Sequence, residues 1–103
     1  MKNQRQTIIK LPKRIEGRDI GINYKNILKQ VWRNDKIAWY QRSDGVHEVF
    51  IIKTEYDENG QVREKYPENY DFGHSAWNFL SHKKALRKFR ILTKTSCNGK
   101  NRR

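Results

Sequence analysis

The sequence predicts an α+β fold: a short N-terminal helix, a three- to four-stranded antiparallel β-meander and a basic C-terminal helix. Three observations predict it. Tyr24, Ile27, Leu28, Val31 and Trp32 recur at helical spacing. Strand-like runs flank Asp44-Gly45 and again Asn59-Gly60, both favoured hairpin pairs. Ala85, Leu86, Phe89 and Leu92 draw an apolar stripe through a stretch rich in lysine and arginine. At 103 residues the chain holds one domain at most. The same signals divide it into a basic N-terminal arm over 1–22, a single α+β domain over 23–94 and a flexible basic tail over 95–103.

The arm carries one short apolar piece, "TIIKL", closed by Pro12, which cannot donate to a strand ladder. "IEGRDIG" follows as a charged connector with Gly17 and Gly21 as turn points. Asn23 can cap the expected helix over "NYKNILKQVWRND". A two-residue turn at Asp44-Gly45 sets Tyr40 opposite Val49, Trp39 opposite Phe50 and Ile37 opposite Ile52. Side chains alternate along a strand, so one face then carries Ile37, Trp39, Phe50 and Ile52. The other carries Ala38, Tyr40, Val49 and Ile51, and both faces need cover, with one helix each as the simplest arrangement. "QVREKY" is a polar third strand suited to an edge. "AWNF" is a fourth strand or a packed crossing, and Ser81 is the N-cap of "HKKALRKFRILTK".

Apolar content is 35%, below the usual ~45–50%, but three Trp, five Tyr and four Phe bury large areas each. The location of the +12 net charge is more informative than its size. Residues 1–19 hold six cations and two acids, residues 20–81 eight and nine, and residues 82–103 nine cations and no acid. A neutral middle with basic ends points to a polyanionic partner, nucleic acid first. The competing explanations are a solubilising charge bias and an acidic protein partner. Lys83, Lys84, Arg87, Lys88, Arg90 and Lys94 crowd one short helix, and Lys100, Arg102 and Arg103 follow in the tail. Cations near a helix C-terminus gain from the dipole, yet like charges at i, i+4 repel, so a partner that neutralises them is the better account. Base stacking on Trp39, Tyr40 and Phe50 is a second mode, although a core this small needs those rings.

Other chemistry finds little support. "DFG" at 71–73 lacks the Gly-rich loop, strand lysine and catalytic loop of a kinase. It reads as a turn, with Asp71 bonding nearby backbone, Gly73 supplying an unusual φ and Phe72, Trp77 and Phe79 pinning it to the sheet. His47, His74 and His82 are spread over three elements without metal-ligand spacing, and Cys97 is alone, so neither a metal nor a disulfide is expected. Asp57, Glu58 and Glu64 read as solvated residues around a hairpin turn, and Glu48, Glu55, Glu64 and Lys53 as cross-strand charge. No cofactor and no enzymatic activity are expected. No apolar run approaches a membrane span, and the first residues lack a signal-peptide core.

The words "EVF" (48–50), "YP" (66–67), "DFG" (71–73) and "AW" (76–77), with Ala85 and Phe89 in "A-x-x-x-F" spacing, give the chain a likeness. In that order it resembles small uncharacterised proteins carried by bacteriophages and mobile elements of gut Bacteroidales, over residues 24–92. The resemblance implies a common fold and a mobile-element setting, in a bacterial cytoplasm or a virion, and transfers no activity. The expectation is a small non-enzymatic nucleic-acid-binding protein that places its basic helix and tail on phosphates. The alternative is a protein-interaction module, as a virion component or an inhibitor of a host system, with "TIIKL" adding a strand to a partner sheet.

Overall fold

A computed structural model describes residues 7–20 and 26–101, without the side chains of Arg18, Asp19 and 96–101. Along it run β1 (Arg14–Glu16), β2 (Ile27–Arg33), β3 (Ile37–Arg42), β4 (His47–Ile51), β5 (Lys53–Tyr56), β6 (Val62–Lys65), β7 (Ala76–Phe79) and the helix α1 (His82–Asn101). Strands β1, β2, β3, β4 and β7 form an antiparallel sheet in that spatial order, and β5 pairs with β6 in a separate ribbon. The class is therefore α+β, but the expected three- to four-stranded meander is corrected to a five-stranded sheet that the β5–β6 ribbon interrupts in sequence, and a second correction falls at the start. The short helix expected from Asn23 is not there in the described part: residues 27–33 are strand β2.

A bulge explains the helical look of β2. Gln30 pairs with Tyr40, but Trp32, not Val31, pairs with Trp39. The extra residue at Val31 breaks the two-residue alternation. Apolar side chains at 27, 28, 31 and 32 then mimic a helix face while lying on a strand.

The β3–β4 hairpin corrects the expected register by one residue. Ser43, Asp44 and Gly45 form a three-residue turn: Arg42 N–H donates to Val46 O at 2.8 Å, Gly45 N–H donates to Arg42 O at 2.9 Å, and Gly45 takes φ +94°. Ile37 therefore faces Ile51, Trp39 faces Val49 and Tyr40 faces Glu48. A slip of one exchanges the partners on each face. Ile37, Trp39 and Val49 lie under α1 with Ala85 and Phe89. Ala38, Tyr40 and Phe50 lie on the opposite face with Ile15, Leu28 and Ala76. Among the described residues no α-helix lies on that second face; Leu11, Ile52, Tyr66 and Phe72, with Ile20 from a single 3-10 turn at Gly17–Ile20, pack against it.

The polar "QVREKY" strand leaves the main sheet and pairs only with β5, in register Thr54 with Glu64. Its turn repeats the three-residue geometry, with Gly60 at φ +80° and Asp57 Oδ1 accepting from the N–H of Asn59 and Gln61. Glu64 is not a solvated turn carboxylate but a buried clamp. It takes both guanidinium arms of Arg33, at 2.6 and 2.8 Å, and the N–H of Leu11 at 2.9 Å. The "TIIKL" piece is engaged in the same place: Ile9 bridges Arg63, giving and taking one backbone hydrogen bond.

"DFGHSAWNF" is the turn its composition implies. Asp71 Oδ2 accepts from Glu68 N–H at 2.9 Å, Lys53 Nζ meets Oδ1 at 2.9 Å, and Gly73 takes φ +95°. "AWNF" is β7, paired to β4 with Trp77 opposite Val49. The chain then enters α1 through Ser81, whose Oγ accepts from Lys84 N–H at 3.2 Å.

Candidate functional site

Burial of Ala85 and Phe89 sets the rotation of α1 and thereby decides which cations face water. Lys83, Lys84, Arg87, Arg90 and Lys94 are exposed. Lys88 is not: half-buried, it places Nζ 3.9 Å from the centroid of the Trp77 ring and is engaged within the fold. The helix backbone continues through Lys100 to Asn101, beyond the expected end at Lys94; Arg102 and Arg103 lie outside the described residues, as does the side chain of Lys100.

The contrast with the body is chemical. Arg14, Arg33, Arg42, Lys53, Arg63 and Lys65 each form an ion pair with a carboxylate. Among the described residues, none of the six cations of α1 between Lys83 and Lys94 does. Six cations of the body are thus held by carboxylates, while the six of α1, like Lys10, Lys13, Lys29 and Lys36 of the body, form no ion pair among the described residues.

Beside that face the structure brings in a residue the sequence pattern concealed. Trp32, with 55% of its surface exposed, stacks on Phe89 with ring centroids 5.3 Å apart and planes inclined by 23°. Trp32, Asn34, Phe89, Arg90, Thr93 and Lys94 enclose an open, largely apolar hollow of about 480 Å³. Asn34 Nδ2 donates to Thr93 Oγ1 at 3.1 Å, fastening the β2–β3 turn to the helix. By contrast Trp39, Tyr40 and Phe50 are at most 1% exposed, which removes them as a stacking surface.

Compared with protein-family models, curated proteins and solved structures, the chain matches none of them. The site has to be read from its own chemistry.

One other hollow competes. Arg42, Glu48, Tyr66, Glu68, Asn69 and Asn78 line a polar pocket of about 490 Å³. At its base Glu48 is 1% exposed and accepts from Arg42 Nη1 at 3.0 Å and from the Tyr66 hydroxyl. Burial pushes the Glu48 carboxyl up, against the pull of both donors. Burial and the nearby Glu48 charge push the Tyr66 hydroxyl up as well. Both Glu48 oxygens are engaged, one by Arg42 and one by the Tyr66 hydroxyl. The cluster ties β4 to the chain after β6. Glu48, like Glu64, is therefore a buried anchor rather than cross-strand surface charge.

His47 and His82 come from separate elements and meet around Trp39. The Trp39 indole N–H donates to His47 Nδ1 at 3.1 Å, and the two imidazole centroids are 5.6 Å apart. No group of three or more His, Cys, Asp or Glu among the described residues could hold a metal ion. No helix among them is long and apolar enough to cross a membrane.

Proposed function

We propose that the protein is a non-enzymatic nucleic-acid-binding protein whose helix α1 lies against phosphates. The exposed cations Lys83, Lys84, Arg87, Arg90 and Lys94 make the contacts, and Lys100, Arg102 and Arg103 extend them. Lys88 contributes through its hold on Trp77. The observation that carries this reading is the absence of any carboxylate partner for the α1 cations among the described residues, in a molecule whose other arginines and lysines pair repeatedly. Five like charges on one face repel, and a polyanion relieves that repulsion. Such contacts position the protein and carry no sequence information. A bacteriophage or mobile-element setting is compatible with this activity.

Binding measured against salt tests the reading. Five neutralised phosphates give a log–log slope of about −4.5 on duplex DNA, and about −7.2 where Lys100, Arg102 and Arg103 add three more. Replacing Lys83, Arg87, Arg90 and Lys94 together with Ala lowers affinity at least tenfold at low salt and flattens the slope. An affinity unchanged between about 50 and 300 mM salt overturns it, and pull-down of an acidic protein after nuclease treatment supports the interaction module instead.

A further inference from the structure

We propose that Trp32 is a stacking platform for an unpaired base, so that the ligand of this face is single-stranded nucleic acid. This deepens the proposed function and rests on it. One face of the indole is occupied by Phe89, so its 55% exposure lies on the opposite face and the ring edge. Phe89 is itself buried in the helix-side cluster, which holds the indole at a fixed tilt. A preset aromatic plane binds a base at low ordering cost.

Charge surrounds that plane on two sides. Arg90 and Lys94 line the same hollow from α1. On the sheet, Trp32 pairs with Trp39, and Lys29 pairs with Gln41, two residues along the same strand. Lys29 and Trp32 therefore share the helix-side face of β2, where Lys29 is exposed. A strand with one base on Trp32 can set its flanking phosphates on Arg90 and Lys94 at one end and Lys29 at the other. Within a duplex the platform finds no free base, because each internal pair already has neighbours on both of its faces and only the terminal pairs offer one. A helix serving only duplex phosphates has no use for an exposed indole beside it.

The test uses the full chain with fluorescent oligo(dT), oligo(rU) and a mixed-sequence duplex of equal length, at one low salt concentration and then in a salt series. The expected result is tighter binding to the single strands than to the duplex, with quenching of tryptophan emission. Trp32→Ala weakens single-strand binding about five- to hundredfold, the range for one base–aromatic stack. It leaves the salt slope and duplex affinity unchanged. Trp32→Phe keeps the packing on Phe89 and most of the affinity but loses the quenching, which separates contact from fold. Equal loss on duplex and single strand, or no loss on single strand, overturns this inference while steep salt-dependent binding leaves the phosphate reading standing. Absence of binding to all three probes at low salt overturns both.

Discussion

At the scale of single residues, His47 shows how an environment chosen for packing sets chemistry. Its Nδ1 accepts the Trp39 indole proton, so the neutral tautomer carries its proton on Nε2. Burial, and secondarily the His82 charge, hold its imidazolium below the ordinary 6.5. A histidine with a depressed folded value binds protons more readily when unfolded. Stability is thus complete above about pH 6.5 and falls as pH drops through that value. We expect an NMR titration to place His47 below 6.5, and the melting temperature to fall on acidification from neutral pH to about 5.5. Glu48 acts in the opposite sense: its raised carboxyl favours the fold at low pH and loses that contribution as pH rises past 4.5. His47 therefore lowers stability on acidification through pH 6.5, while the lowered carboxylates of Asp44, Asp57, Glu64 and Asp71 do so only further down, below about 4.5.

Among elements, α1 and the β3–β4 hairpin differ in how much their sequences disclose. The Ser81 cap, the Ala85–Phe89 stripe and the exposed cations all follow from spacing on a regular helix. Ser81→Ala removes the acceptor for Lys84 N–H, and chemical denaturation should show a loss of about 1 kcal/mol. Asp44-Gly45 announced a hairpin, but the same dipeptide fits a two- or a three-residue turn, and only the backbone hydrogen bonds of Arg42 decide between them. Residues 27–33 were illegible for a different reason. A bulge at Val31 adds one residue to the alternation, and four apolar side chains fall into helical phase. Trp32 vanished into that false helix face, and with it the aromatic half of the candidate site. Glu64 reads as surface charge in the sequence because its partners Leu11 and Arg33 are 53 and 31 residues away, and no local pattern encodes such a clamp.

For the whole molecule, the sheet separates two kinds of surface. One face holds α1 and its unpaired cations; the other is closed by connecting segments and by carboxylates that neutralise what lies near them. The charge segregation seen in the composition therefore survives folding as a difference between surfaces, which composition alone cannot establish. It also makes the C-terminal residues separable in their effect. Removing residues 95–103 should leave the cluster of Trp39, Val49, Ala85 and Phe89 and the melting temperature nearly intact. On duplex DNA it should flatten the salt slope by about 2.7, the share of Lys100, Arg102 and Arg103. A slope that does not change assigns the contacts to Lys83–Lys94 alone.

The clamp at Glu64 also imposes an order in time. Leu11 is synthesised 53 residues before the carboxylate that receives its N–H. At ordinary rates of translation the interval is roughly 3–10 s. Through that interval Ile8, Ile9 and Leu11 leave the ribosome with no β6 to join, and Arg33 emerges with its carboxylate still unmade. Lys10, Lys13 and Arg14, set among those apolar residues, keep the waiting segment charged until its strand partner arrives. The cations beside "TIIKL" thus break up an apolar run whose partner strand is the later to be made.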